Sequence, residues 1–521
     1  MANKAALIIL DGIGISPENE GNAVHLARTP YLDELIKSYP KCLLNASGQE
    51  VGLPWGEFGN SEVGHTNIGL GRVVLQDLPQ INKALDAKTI LQKENFKEAI
   101  EKLKAGSNKL HLIGMASDGA VHGHIGHLTK LIAIIKEQVP AVEVRVHLIA
   151  DGRDVAEKSI EKFYELTSKM EAKGAKMSSV SGRYFAMDRD KNYERIQLAV
   201  DAILGKGKEN AGSLKEAINK AYRRKETDEY ISPTTIGAFN VDIQNDVFIF
   251  TNYRADRAIE LTRAFVEDNT NEITKDGPIR NFYMMTTYDD NLSAKSIFSN
   301  LDLNDSKENP LTNSSTEIIS KSGLSQLHVA ETEKFAHVTY FFAGGIKEEL
   351  ENQTNKIIPS EKVKSYDLFP QMKAKEITDE IISAAGKFDF IVANLANGDM
   401  VGHSGKLDAS IKAVEIIDAQ LARSIPELLK NNYKVFVTAD HGNCDEMIDS
   451  LTKKVNKEHS FNPVPFIYAT KESRGGYISM EELRTTASIG VLADIVPTVL
   501  LEMDLELTPE MMGINLKDSL V

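Results

Sequence analysis

Three apolar runs in this sequence end in an aspartate. AALIIL leads into Asp11, FDFIVANLANG into Asp399, and YKVFVTA into Asp440. Histidines stand close behind two of them: His403 follows Asp399 by one helical turn, and His441 follows Asp440 directly. A further histidine, His459, lies downstream in KEHSFNPVPF. In open α/β sheets, ligands bind at the carboxyl ends of strands, so three such strands would deliver these side chains to one place. Mixed carboxylate and imidazole donors suit Zn²⁺, Mn²⁺ or related ions rather than calcium. Three Asp and three His are enough for two ions when a serine or a substrate oxygen completes the shells. Two ions a few ångströms apart stabilise both the attacking and the leaving oxygen in phosphoryl transfer. A single Asp after a strand is more often a helix cap or a turn residue. The threefold repetition, with histidines attached, is what turns the pattern into a metal site.

A serine stands ready for such a centre. Gly59–Gly71 reads GNSEVGHTNIGLG, with Ser61 beside Glu62 and glycines on both sides. Taken alone, Ser61 reads as a helix N-cap, with Glu62 favourable to the helix dipole. A helix N-terminus is also where phosphate binds, and glycines allow close approach. Beside two metals, Ser61 would be a nucleophile that needs no histidine base.

The middle of the chain carries a second constellation. SDGAVHGHIGHL holds His122, His124 and His127, and IADGRD ends in Arg153 and Asp154. SGRYFAMDRDK supplies Arg183 and Arg189, and FTNYRADRA supplies Arg254 and Arg257. One arginine alone is usually a weak surface ion pair. Several of them after successive strands form a binding site for a small anion bearing carboxylate and phosphate, which arginine grips bidentately. Asp154 among these cations would be held ionised, as a general base needs. His127 reads as structural, and His124 is left open.

The elements that position these residues are those of an α/β protein with mostly parallel sheets. Ala5–Leu10, Leu110–Met115, Val144–Ala150, Val247–Thr251, Phe282–Thr287, Phe388–Asn394 and Lys434–Thr438 are continuous apolar runs, as strands covered on both faces require. Lys158–Ala172 has a helical apolar face and ends at Gly174. The 521 residues exceed what one core usually supports. The polar stretch Ser299–Ser315 and the segment Gln76–Gln80 read as boundaries. They place an inserted domain at 77–310 within a discontinuous domain made of 1–76 and 311–521. The formal net charge of -15 argues against nucleic-acid and membrane-surface binding. An anionic substrate therefore needs arginines and metals to reverse the field locally. Two distant cysteines, no leader-like segment and no long apolar span fit a cytoplasmic protein. One active site from one chain makes a monomer sufficient.

LDGIGI, GNSEVGHTNIGLGRVVLQD, SDGAVHGHIGHL, DGRDV, SGRYFAMDRDK, NYRADRA, EKFAHVTYFFAGG, DMVGHSG, TADHGN and HSFNPVPF occur in this order. From about residue 4 to residue 500 the chain resembles the cofactor-independent phosphoglycerate mutases, of the alkaline phosphatase superfamily. The resemblance implies that Asp399, His403 and His459 hold one Mn²⁺, and that Asp11, Ser61, Asp440 and His441 hold another, with Co²⁺ or Zn²⁺ possible in their place. Ser61 would be the phosphorylated nucleophile, and Lys334 of EKFAH would contact the phosphoryl group. His122, Arg153, Asp154, Arg183, Arg189, Arg254 and Arg257 would hold the glycerate in the inserted domain. The reaction implied is interconversion of 3-phosphoglycerate and 2-phosphoglycerate, without bisphosphoglycerate. Asp154 would protonate the leaving oxygen, and closure of the two domains would exclude water. The alternative is a metal-dependent phosphatase or sugar-phosphate mutase of the same superfamily, against which the arginine set argues. Ile13, Trp55, Gly123 and Gly398 depart from the family pattern. Gly398 would loosen the Asp399 loop where a proline is common. Cys444 reads as a small buried core residue.

Overall fold

The apolar runs become strands at the centres of two eight-stranded sheets. A computed structural model describes residues 3–106, 108–267, 278–299, 311–449 and 452–521. The chain forms two compact units, Met1–Gln76 with Asn304–Val521, and Asp77–Leu303. The segment Gln76–Gln80 holds the division between the two units. It opens the helix Asp77–Asp86, with Pro79 in the first turn, where no intrahelical N–H is lost. Most of the polar stretch Ser299–Ser315 falls on 300–310, outside the described residues. Its last residues build a capping box: Ser314 and Glu317 cap the helix Ser315–Lys321 reciprocally.

In the discontinuous unit the sheet runs Gln353–Ile358, Gln326–Glu331, Phe390–Leu395, Lys4–Leu10, Tyr433–Thr438, Val464–Ala469, Lys41–Asn45 and Gly490–Val491. The first five are mutually parallel, and Val464–Ala469 pairs antiparallel with both neighbours. Lys4–Leu10 lies in the middle, fully covered from Ala5 to Leu10, which is why its sequence is apolar at every position rather than alternating. The 24-residue helix Leu407–Lys430 turns Val414, Ile417, Leu421, Ile425 and Leu428 inward, at helical spacing, to cover part of this core.

In the contiguous unit the order is Lys295–Phe298, Phe282–Thr286, Val247–Phe250, Lys109–Ala116, Glu143–Ala150, Ala175–Gly182, Thr234–Ile236 and Glu209–Ala211, parallel except where Thr234–Ile236 meets Ala175–Gly182. The helix expected over Lys158–Ala172 starts as a 3-10 turn, Ile160–Phe163, and continues as Tyr164–Ala172. Gly174 follows in the left-handed region (φ 83°). This sheet carries a buried polar chain. His111 bonds His147 at 2.9 Å and reaches Asp246 at 3.4 Å, and His147 pairs with Ser179 at 2.8 Å. Among the described residues no helix is long and apolar enough to cross a membrane.

Candidate active site

Four adjacent parallel strands of the discontinuous unit each discharge a functional side chain at the carboxyl end. Gln326–Glu331 is followed by Lys334, Phe390–Leu395 by Asp399, Lys4–Leu10 by Asp11, and Tyr433–Thr438 by Asp440 and His441. Asp399 and His403 share one face of the short helix Asn397–Gly402 and its cap. Ser61 is the first residue of the helix Ser61–Leu70, not its cap. Asn60 takes the capping role, accepting from Val63 N at 3.0 Å. The serine hydroxyl is thereby released from the backbone and points into the cluster.

There Ser61 Oγ lies 2.9 Å from His441 Nε2 and 3.3 Å from Asp11 Oδ1. Lys334 Nζ donates to Ser61 Oγ at 2.6 Å and to Asp11 Oδ1 and Asp399 Oδ2 at 2.7 Å each. His441 Nε2 is 3.5 Å from both Asp11 and Asp440. Asp11, Asp399, Asp440, His441 and Lys334 are all buried. Against burial, the Lys334 ammonium holds the Asp399 carboxyl well below the usual range. Asp440 is likewise held low despite burial, by His441, His65 and Lys334. Burial and the neighbouring Asp440 push Asp11 up instead. The three carboxylates outweigh the one ammonium, and lysine's own pKa is raised by them although burial opposes it. A buried excess of negative charge is costly unless further positive charge joins it.

The donor geometry says what kind. His403 Nδ1 faces Lys457 O at 2.7 Å, and His459 Nδ1 faces Gly59 O at 2.6 Å. A carbonyl only accepts, so both Nδ1 atoms carry hydrogen, and the neutral rings turn bare Nε2 lone pairs inward. Those two Nε2 atoms stand 3.1 Å apart, each 3.2 Å from Asp399 Oδ1. Asp399 Oδ1 accepts no hydrogen bond there, nor does Asp440 Oδ2 in its own corner. Converging lone pairs with carbonyl-anchored imidazoles are the arrangement of a metal site. Asp399, His403 and His459 form one group able to hold a cation, and Asp11, Asp399 and His441 form another. The residues fit a pair of divalent ions.

The contiguous unit repeats the arrangement with other chemistry. Lys109–Ala116 leads to His122, Glu143–Ala150 to Arg153 and Asp154, Ala175–Gly182 to Arg183, and Val247–Phe250 to Arg254 and Arg257. Buried Arg183 bridges Asp151 (2.7 Å) and Asp154. His122 faces Asp154 at 3.9 Å and Asp256 at 3.5 Å. Asp256 also meets Arg189 (3.5 Å) and Arg254 (3.3 Å). Arg153 reaches Glu229 at 3.4 Å. The Arg257 guanidinium is lowered by burial and then by Arg189, Arg183 and Arg153, so these cations crowd one spot. Burial and Arg183 hold His122 at about 4. A neutral imidazole among guanidiniums suits a hydrogen-bonded anionic substrate. His124 caps the helix Ile125–Gln138, and His127 bonds Asn82 at 2.9 Å; both are structural.

The profile of the Metalloenzyme superfamily matches residues 3–507. The 2,3-bisphosphoglycerate-independent phosphoglycerate mutase of Clostridium beijerinckii is 43% identical over 519 residues, 98% of each chain. That of Methanococcoides burtonii is 42% identical over 529 residues, again 98% of each. The chain belongs to the 2,3-bisphosphoglycerate-independent phosphoglycerate mutases. A crystal structure of Leishmania mexicana phosphoglycerate mutase at low cobalt concentration is 29% identical, covers 99% of this chain and 98% of its own, and superposes with a TM-score of 0.59.

In this mutase the departures from the family pattern become intelligible. Gly398 packs against the backbone that carries Asp11. A Cβ there would meet Asp11 O at 2.5 Å and Ile13 Cδ1 at 2.9 Å, so the glycine lets Asp399 N bond Asp11 O at 3.0 Å. Gly123 lies against Asn252 Oδ1 and Met115. Trp55 is 86% exposed. Cys444 is buried, its thiol 3.3 Å from Gly12 O. Three neighbours of the mutase site escape a reading by motif. His65, one turn beyond Ser61, pairs with Ser61 O at 2.9 Å and with Asp440 at 3.3 Å. Asn394 donates to Asp11 Oδ2 at 2.7 Å. Asp256 joins the arginines. The i,i+4 spacing of Ser61 and His65 is the one sequence signal among them.

Proposed function

We propose that this chain interconverts 3-phosphoglycerate and 2-phosphoglycerate through a phosphoserine at Ser61, without bisphosphoglycerate. What carries the reading is Ser61 itself: a buried hydroxyl at a helix N-terminus, within 2.9 Å of His441 Nε2 and 2.6 Å of Lys334 Nζ. The mutases it resembles, a metalloenzyme profile and a related mutase crystallised at low cobalt concentration support the same reaction and a divalent metal. Asp399, His403 and His459 would hold one ion, and Asp11, Ser61, Asp440 and His441 the other, with Mn²⁺ the proposed ion. Bound there, the pair supplies a lowered serine pKa and charge neutralisation on the phosphoryl oxygens.

The chain's own groups do the rest. The helix N-terminus at Ser61 favours an anion. Lys334 donates to the serine oxygen and neutralises charge that builds on the transferring group. Ser61 takes the phosphoryl group, and the ester bond to glycerate breaks. With a proton on its carboxyl, Asp154 gives it to the leaving oxygen, is left as the carboxylate that Arg183 pairs with, and regains a proton from the other hydroxyl as that oxygen takes the group back from Ser61. Arg153, Arg183, Arg189, Arg254 and Arg257, with His122, keep hold of the glycerate while it turns. One chain is sufficient for this work.

The test is conversion of 3-phosphoglycerate by metal-stripped protein, with and without Mn²⁺ and with no bisphosphoglycerate, while free phosphate is recorded. Metal-dependent 2-phosphoglycerate with little phosphate is expected. Phosphate release without isomerisation would keep the metals and Ser61 but remove the arginines from glycerate binding.

A further inference from the structure

Between the segments that carry the proposed metal ligands sits a carboxylate that touches none of the ligand side chains. Asp445 is 1% exposed. Its Oδ1 accepts from Gly14 N at 3.2 Å, and its Oδ2 accepts from Ser460 Oγ at 2.8 Å and Asn462 Nδ2 at 2.7 Å. The three donors lie on two ligand-bearing segments, and the acceptor lies on a third. Gly14 follows Asp11, Ser460 and Asn462 follow His459, and Asp445 itself follows Asp440 and His441.

The surroundings are shaped around this carboxylate. A Cβ at Gly14 would come within 2.5 Å of Asp445 Cγ, and one at Gly442 within 2.7 Å of its Oδ1 and 2.3 Å of Ser460 Oγ. No side chain fits at either position without displacing it. Backbone bonds run along the same seam: Asn443 N and Cys444 N to Gly12 O at 3.1 Å each, Ser460 N to Gly442 O at 2.9 Å, and Ile15 N to Pro463 O at 2.7 Å. A carboxylate accepting three donors in a dry setting is a directional staple, since every donor would be left unsatisfied if it shifted.

We propose that Asp445 is a positioning residue that sets the spacing of the Asp11, Asp440–His441 and His459 segments and so holds the two metal sites in one frame. The inference rests on the metal assignment proposed above. His459 belongs to one site, and Asp11, Asp440 and His441 to the other, so a single group outside both shells governs both. Outer-shell groups bonded directly to ligands typically control about 10–100-fold in metal affinity, and Asp445 acts on the segments that carry those ligands.

The experiment is Mn²⁺ binding to the metal-stripped full chain, followed by titration calorimetry and by the electron-spin signal of free Mn²⁺. Wild type is compared with Asp445→Asn, Ser460→Ala and Leu421→Ala, the last being a core truncation in the Leu407–Lys430 helix. Asp445→Asn is expected to weaken both Mn²⁺ sites by about 10–100-fold, with turnover largely recovered at saturating Mn²⁺ because the ligands remain. Ser460→Ala removes one donor and is expected to weaken chiefly the site that holds His459, which serves if Asp445→Asn does not fold. Unchanged affinities in whichever of these two variants folds would overturn the proposal. So would an equal loss in Leu421→Ala at matched stability. Wild type that takes up no pair of ions overturns the metal assignment first, before any variant is compared.

Discussion

Lys334 Nζ stands 2.6 Å from Ser61 Oγ while also bonding Asp11 and Asp399, so one ammonium joins the nucleophile to two carboxylates that bracket it. Removing that charge strips a fixed electrostatic partner from the transferring group. Lys334→Met should lower kcat by about 10²–10³, or roughly 3–4 kcal/mol, with KM for 3-phosphoglycerate changed far less. Lys334→Arg should not restore it, because a planar fork cannot take the place of a compact point charge bonded to three oxygens. Steady-state kinetics decide; kcat within tenfold of wild type in Lys334→Met would take the lysine out of the reaction.

The division of labour between Asn60 and Ser61 separates stability from activity. Asn60→Ala leaves Val63 N without its cap acceptor and should cost about 1 kcal/mol in urea unfolding. Ser61→Ala keeps the cap, should leave the unfolding midpoint near wild type, and should abolish phosphoserine formation from labelled substrate. A labelled Ser61→Ala protein would mean that another residue is the nucleophile.

Acid should destabilise the protein before its carboxylates titrate. Burial, and then Arg183, holds His122 at about 4; burial holds His127 at about 3 and His328 at about 4, all below the ordinary 6.5. The unfolded chain therefore binds protons that the folded chain refuses. The stability these three contribute is present above their ordinary value of 6.5 and falls as pH drops from there towards 4, each with a slope of up to about 1.4 kcal/mol per pH unit, while His403 and His459, raised beside Asp399, act in the opposite sense. Denaturation of metal-stripped protein at pH 7.5, 6, 5 and 4.5 reads this. A flat midpoint between pH 6.5 and 4.5 would contradict the buried, neutral assignment.

Gly398→Ala tests the packing beneath Asp399. Its methyl would enter at 2.5 Å from Asp11 O and 2.9 Å from Ile13 Cδ1. Overpacking of this sort costs about 1–3 kcal/mol, and the Asp399 N to Asp11 O bond should lengthen. The companion change Ile13→Val, which removes a methyl from the contact, should return part of the loss. Thermal unfolding of the single and double variants gives the coupling; strict additivity would refute direct contact as the cause.

Why some of this is legible in sequence and some is not follows from how each strand satisfies itself. Lys4–Leu10, Phe390–Leu395 and Tyr433–Thr438 are apolar because both faces are covered, and the aspartates behind them announce the site. Ala175–Gly182 is just as buried but is spelled AKMSSVSG. Its Ser179 pairs with His147, and its Ser178 with Arg145, so the polar groups are satisfied inside the sheet rather than at its edge. Gln326–Glu331 likewise hides His328 beside Gln326. No apolar run marks either strand. In the site, Asp11, Ser61, Asp440 and His441 stand out by motif. Asn394 and Asp445 meet partners remote in sequence, and Asp256 meets His122 and Arg189 as well as nearby Arg254, so single-chain spacing does not mark them.

The central position of Lys4–Leu10 bears on how the protein is made. Its two sheet neighbours begin at Phe390 and Tyr433, so at ordinary ribosomal speeds this apolar strand waits roughly 20–75 s for the first of them to be synthesised. The unit Asp77–Leu303, contiguous in the chain, can condense during that interval. Translation thus exposes KAALIIL while a later-encoded unit is already able to fold. Until Phe390–Leu395 is synthesised, the apolar stretch has no native sheet partner to cover its edges, which leaves it open to non-native pairing.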